Sequence, residues 1–448
     1  MEYVWKFLGN FKMEPKLVSS LGIKYPARRG HPLHGGDIWL NEKSADEGAE
    51  GLWRIHDGLY DLTELISSHP GGSEWIRMTK GTDITEAFEL HHLSHTPEQL
   101  LPNFFKRKAN TQRNYPFTFH DDGFYKTLKR RILPEIDKMP RRYVIQSEMI
   151  ADTFFAAYMV TAYLAIYTGS LSLCFLSGVI LSYLGVIAHN FVHQKDNFRM
   201  YYLDLTLLSS REWRISHALS HHMYTNTVND LEISQLEPWF YWLPFKKHSL
   251  MKYIQWVYAP IVYSLIFYGL WIKTLITNIR VRGTVPLLTF LPFVIPIFSY
   301  VTTDRSFSQC MLMFLFITLS SSLHFGFVGF NAAHHHPDIF HDGDTIRPKE
   351  EMDFGVFQLD TVTDRKDINR SPLLVLTHFG DHALHHLFPT IDHGLLPFLY
   401  PVFKETCEEF GLEWRCTSQM DLIKGQFLQL TRDINQKAPK KLKILKWN

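Results

Sequence analysis

The sequence predicts a small α+β domain followed by an all-α integral-membrane domain with about four transmembrane helices, and three observations carry that prediction. Short β-prone runs with turn signals fill residues 37–108. Long, almost uncharged apolar segments recur from residue 150 onward. Histidine clusters stand at the ends of those segments: His189-x-x-x-His193, His217-x-x-x-His221-His222 and His382-x-x-His385-His386. The net charge of +1 over 448 residues carries no nucleic-acid signature. The 4 cysteines, Cys174, Cys310, Cys407 and Cys416, lack Cys-x-x-Cys spacing, which argues against a disulfide framework or a thiolate zinc site. The start has no basic region followed by an apolar run, so no cleaved signal peptide is expected.

Residues 1–36 have no clear period and read as a tether. The runs Asp37–Leu40 and Leu52–Thr63 follow, with a turn expected at Asp57-Gly58. In His69-Pro70-Gly71-Gly72, proline fixes the chain direction and the glycines remove bulk, so a large flat ligand can approach beside His69. Downstream, Gly81-Thr82-Asp83-Ile84-Thr85-Glu86-Ala87-Phe88 leads to His91-His92.

These pieces, in this order and spacing, resemble cytochrome b5 over roughly residues 37–108. The resemblance implies a haem b held axially by His69 and a second histidine a few residues after Ala87-Phe88. His92 has the spacing common in fused versions of the domain, with His91 and then His95 as alternatives. Iron closed by two imidazoles has no open position for substrate, so such a haem carries single electrons.

Lysines and arginines outnumber acids in the stretch from Lys106 to Arg142, which reads as a basic, mostly solvated linker, 109–148. The positive-inside rule places it, and the haem domain, on the cytoplasmic side. Residues 150–168 and 171–188 carry only Asp152 as a charge and flank Gly169-Ser170. Each approaches the ~20 residues that span a ~30 Å hydrocarbon core, so they form a membrane hairpin. Three apolar segments follow, 254–272, 285–301 and 309–331. For the histidine clusters on either side to meet, an even number must cross; 309–331 is expected to be one, and its two predecessors are not distinguished. Residues 401–448 read as a cytoplasmic tail with a basic end.

Eight imidazoles, with a further one expected from Asn331–His336, are too many for one metal ion. They suit two iron ions at the membrane face, where a lipid chain enters from the bilayer and electrons from water. On helical spacing His382, His385 and His386 share one face within about 5–6 Å.

This pattern resembles the integral-membrane fatty acyl desaturase and hydroxylase superfamily, over roughly residues 145–400 and within a domain bounded at 149–400. The resemblance implies di-iron ligands His189, His193, His217, His221, His222, His382, His385 and His386. In stearoyl-CoA desaturase an Asn-x-x-x-His adds an outer-sphere asparagine and a ninth histidine; Asn331 and His335 have that spacing, with His334 and His336 as neighbours. His324, His341, His378 and His393 are expected to be ordinary surface, supporting or core histidines. Front-end desaturases, which also carry a cytochrome b5 domain, usually begin the third box with glutamine where this chain has His382, and the run Gly380–Pro389 looks more like the insect cytochrome b5-related proteins.

By this resemblance the chain is a membrane-bound oxidoreductase of the endoplasmic reticulum that uses O2, two non-haem irons and electrons from its own haem, re-reduced by NADH-cytochrome b5 reductase. It would insert a double bond into a lipid or acyl substrate. Two rival readings are a lipid hydroxylase on the same ligands and a non-catalytic, membrane-tethered haem protein.

Overall fold

The computed structural model describes residues 17–247, 249–348 and 352–436. The first of these residues are no loose tether. Leu21 and Ile23 enter the core, and Ser19 Oγ and the Ser20 amide donate to the Asp342 carboxylate at 2.9 and 2.8 Å. Arg29, buried, donates to the Val228 carbonyl at 2.6 Å and to Glu237 at 2.8 Å. This strap leads into α1, Gly36–Asp46.

The small domain is built on an antiparallel sheet of β1, Trp53–Ile55, β2, Gly58–Tyr60, and β3, Phe105–Lys108, in the order β1-β2-β3. Ile55 pairs with Gly58, so the turn is His56-Asp57, one residue earlier than expected, and His56 itself takes the positive φ of 52°. Trp53, Leu62 and Ile76 form a compact core over which α2, Ser73–Met78, and α3, Thr85–His91, are laid.

The segment expected to be a mostly solvated linker keeps many of its basic side chains exposed, but its chain packs on the protein at several points. Arg113 pairs with buried Asp83 and Glu86 at 2.8 and 2.5 Å, and the Tyr115 ring stacks on Tyr224 with centroids 4.0 Å apart. In α4, Phe124–Lys138, the buried Lys129 donates to the Glu89 carbonyl at 2.8 Å. Its charge is matched within the protein, which is why a basic composition need not mean solvent.

Helix α5, Arg142–Thr168, and α6, Leu171–Val192, form the expected hairpin, closed by Gly169 at φ 72° and by Ser170 Oγ accepting from the Leu173 amide. Helix α7, Ser249–Thr277, continues into a π turn at Asn278–Arg282. A shorter apolar helix, Leu287–Thr302, contains Pro292 and Pro296 and includes α8, Val294–Thr302. Helix α9 is Phe307–Gly329. Among the described residues four helices are long and apolar enough to cross a membrane: those at 142–168, 171–192, 252–282 and 307–329. The segment left open by the sequence, 254–272, is therefore long and apolar enough to be a span, and 285–301 falls short of the ~20 residues a crossing needs.

Helix α6 packs tightly on α9 at Gly178, where a Cβ would lie 2.6 Å from the Ile317 carbonyl oxygen. At the far ends of the two hairpins Arg305 donates to the Tyr167 carbonyl at 3.2 Å. At the near end, α6 and α9 deliver their C-termini to the histidine clusters. The third cluster lies on α10, His382–Leu387.

The residues expected to be a tail also belong to the fold. Helix α11, Tyr400–Glu409, meets α4 where Arg131 donates to Thr406 at 3.2 Å; α12, Gln419–Thr431, is fixed by Gln429 donating to the Trp242 carbonyl at 2.5 Å and is followed by Arg432 on Asp344. The basic end, 440–446, lies outside the described residues.

Candidate haem and dimetal sites

In the small domain the His69 and His92 rings oppose each other with centroids 5.9 Å apart. Each Nδ1–H donates to a backbone carbonyl, His69 to Gly72 at 3.1 Å and His92 to Phe88 at 2.9 Å, which fixes the tautomer and leaves Nε2 as a lone-pair donor. Of the alternatives, His91 turns away onto Trp75, with centroids 5.3 Å apart, and His95 is exposed beside Glu98. Burial pushes the His92 imidazole down to about 4, so it is a neutral ligand at physiological pH. Two opposed imidazoles, each with its Nδ1 bonded to a carbonyl, fit an axially ligated haem.

The second site gathers histidines from four places in the chain. Helix α6 ends in His189 and His193, one turn apart. Residues Arg214–His221 form a π-helix, whose wider turn brings His217 and His222, five apart, to the same point and sends His221 elsewhere. Helix α10 is likewise divided: His385 joins the first group, and His382 and His386, one turn apart, join His221. The three α10 rings do stand together on one side, with centroids 4.7 to 6.1 Å apart, and from there they serve both groups.

In the first group His189 Nε2 lies 2.7 Å from His217 Nε2, 3.1 Å from His193 Nε2 and 3.0 Å from His385 Nε2, and His222 Nε2 is 3.1 Å from His217 Nε2. All five ligand atoms fall within 4.8 Å of one another. In the second group His221, His334 and His386 are equally close, and His334 Nε2 is 2.7 Å from His382 Nε2. The His222 and His386 rings stack with centroids 4.0 Å apart and join the two groups.

Oxygen acceptors orient the rings from behind. His217 Nδ1–H donates to Glu232 at 2.9 Å, His221 to Asp230 at 2.8 Å, His334 to the Thr361 carbonyl at 3.0 Å, His382 to the Phe379 carbonyl at 3.0 Å and His386 to Gln358 at 2.9 Å. Each of these rings therefore turns a bare Nε2 inward. Burial holds His222, His334, His382, His385 and His386 well below the usual imidazole range, so they stay neutral. Converging neutral lone pairs repel one another unless a cation lies between them. Nitrogens about 3 Å apart match neighbouring ligands at right angles around a first-row metal bonded at about 2.1 Å. Two groups, of five and four imidazoles, fit two metal ions.

Of the three histidines after Asn331, it is His334 that joins the clustered imidazoles, where the spacing points to His335. The His335 ring lies flat on Trp242, with centroids 3.7 Å apart, outside either group. His336 packs beside Gly425. Asn331 is buried and donates through Nδ2 to the Phe327 carbonyl at 2.7 Å, while its Oδ1 has no partner within the protein. Sequence reasoning missed Asp230, Glu232 and Gln358, although Asn229-Asp230-Leu231-Glu232 soon after the second box is a local signal. It also underrated His393, whose ring stands 4.5 Å from His385 while its Nδ1 hydrogen-bonds Asn190 Oδ1 at 2.8 Å. His324, His341 and His378 belong to neither group.

A cavity of about 100 Å3 opens beside both groups, bounded by His217, His221, His334 and His382 on one side and by Ile266, Leu270 and Phe325 of the membrane helices on the other.

Opposed histidines in the small domain, nine clustered imidazoles and a largely apolar cavity at one end of four membrane-length helices fit the class of membrane oxidoreductases. The comparisons identify it more narrowly: the family Fatty acid desaturase matches residues 167–418 and Cytochrome b5-like Heme/Steroid binding domain matches residues 39–110. The chain belongs to the fatty acid desaturase family, with an amino-terminal cytochrome b5-like domain. It is 43% identical over 430 residues to the Cytochrome b5-related protein of Drosophila melanogaster, covering 94% of this chain and 97% of that one. It is 27% identical over 439 residues to Delta(5) fatty acid desaturase A of Dictyostelium discoideum, covering 87% and 92% of the two chains. The two domains imply haem and iron as cofactors, and a lipid substrate, O2 and electron transfer as the chemistry.

Proposed function

We propose that the protein is an O2-dependent lipid desaturase that draws electrons from its own haem. The observation that carries the reading is the convergence of nine buried imidazoles into two groups beside a largely apolar cavity. His69 and His92 would hold the haem; His189, His193, His217, His222 and His385 would hold one iron and His221, His334, His382 and His386 the other. The irons supply, with O2 and electrons, the power to remove hydrogen from an unactivated methylene, which no side chain can do.

The chain's own residues do the rest. Ile266, Leu270 and Phe325 hold the acyl chain against the histidines and exclude water. Asp230, Glu232 and Gln358 fix ring orientation and keep each Nδ1 protonated and each Nε2 free. Further parts of this reading are an endoplasmic-reticulum location, a cytoplasmic face for both sites and re-reduction by NADH-cytochrome b5 reductase. The Lys/Arg-rich residues before α5 support the orientation.

Mass-spectrometric lipid profiling of cells with the protein, without it and with His385→Ala tests the proposal. Lipids lacking two hydrogens should accumulate only with the intact protein, and the variant should keep its haem absorption. A gain of one oxygen would make the protein a hydroxylase, and an unchanged lipid profile would leave the haem-tether reading.

A further inference from the structure

Both sites meet at one junction, the turn that follows α6. It begins at His193, a member of the five-nitrogen group, and three residues later the Asp196 amide donates to the Gly71 carbonyl at 3.2 Å, beside haem-facing His69. The approach is so close that a Cβ on Gly72 would lie 2.4 Å from the Asp196 carboxylate. Arg214, only 2% exposed, locks the turn: it donates to the Val192 carbonyl at 3.1 Å, to the Gln194 carbonyl at 3.3 Å and to Asp196 at 2.6 Å. The guanidinium also lies over the Trp75 ring, 4.5 Å from its centroid. Trp75 in turn packs on His91, the covalent neighbour of His92. His91 Nε2 and His193 Nδ1 are both buried with no partner within the protein.

Resting on the desaturase reading, we propose that the contact chain His91–Trp75–Arg214 is the electron conduit from the haem to the dimetal site, with Trp75 as its central positioning residue. Tunnelling falls steeply with every gap between packed or bonded atoms, so a continuous run of ring, guanidinium and hydrogen-bonded backbone carries an electron better than a water-filled cleft. Each passage takes one electron from the reduced haem, which becomes oxidised, and reduces the metal site by one. No bond or proton changes at Trp75, His91 or Arg214. Electrons are restored to the haem from NADH through a flavoprotein reductase.

Flash photoreduction of the haem in the full-length, iron-loaded protein in lipid nanodiscs tests this without a lipid substrate. In the wild type the ferrous haem band should decay faster with iron than after iron is chelated away. Trp75→Leu and His91→Leu should slow that iron-dependent decay by about tenfold, with haem band positions, haem potential and iron content unchanged. Trp75→Phe, which keeps an aromatic face against Arg214, should restore most of the rate. Decay in Trp75→Leu within about twofold of wild type would overturn the conduit and leave the desaturase reading standing. Wild-type decay indifferent to iron would instead remove the haem as electron donor, and the conduit with it.

Discussion

His334 and His335 differ by one position in sequence and by everything around them. His334 donates from Nδ1 to the Thr361 carbonyl and points Nε2 at His382; His335 spends its ring on Trp242. His334→Ala should therefore lower bound iron toward about one atom per chain, whereas His335→Ala should keep the metal and lose packing. Iron analysis of the two purified variants checks this. Spacing from Asn331 could not choose between them, because the residues after α9 follow no helical period and the choice is made by Thr361 and His382, both remote in sequence. The pairing of His69 with His92 is the opposite case: His92 stands four residues after Phe88, the spacing the resemblance to cytochrome b5 supplied, and at that distance its Nδ1–H reaches the Phe88 carbonyl.

Among the elements, the π-helix at 214–221 and the short α10 turn simple histidine spacings into two metal groups. Helix α10 has only 6 residues, too few to hold itself in water, and its exposed amides are satisfied from outside: Asp364 accepts from the His382 and Ala383 amides at 2.7 and 3.2 Å. Asp364 is itself held by Trp414 Nε1 at 2.7 Å, so the residues expected to be a tail support the third histidine box. Asp364→Ala should cost about 0.5–2 kcal/mol of stability, read as a lower thermal midpoint and faster iron loss, and Asp364→Asn, which keeps an acceptor, should cost less. The first membrane hairpin needed no such help to be read, since length and apolarity alone define it.

Across the whole molecule, the haem domain is docked rather than tethered. The strap from residue 17, the packed stretch around Arg113 and Tyr115, and the turn at Asp196 attach it from three sides. Asp342 is central to the first attachment, accepting from Ser19, Ser20 and the Val228 amide. Asp342→Ala should lose about 1–3 kcal/mol through its unsatisfied partners and free the strap, so that trypsin cuts at Arg28 and Arg29 faster than in the wild type. Equal cutting rates would mean that the strap is held by its apolar residues alone.

The sequence by itself determined the two-domain order, the first membrane hairpin and eight of the nine clustered imidazoles, because each is written in a local period or a short motif. Tertiary structure decided how those imidazoles divide into two groups, that His334 completes them, and that strap, linker and tail are packed parts of the protein. Those features depend on where distant residues meet. The carboxylate that satisfies a basic residue, the carbonyl that turns a ring and the acceptor that caps a short helix each lie far along the chain from the group they serve.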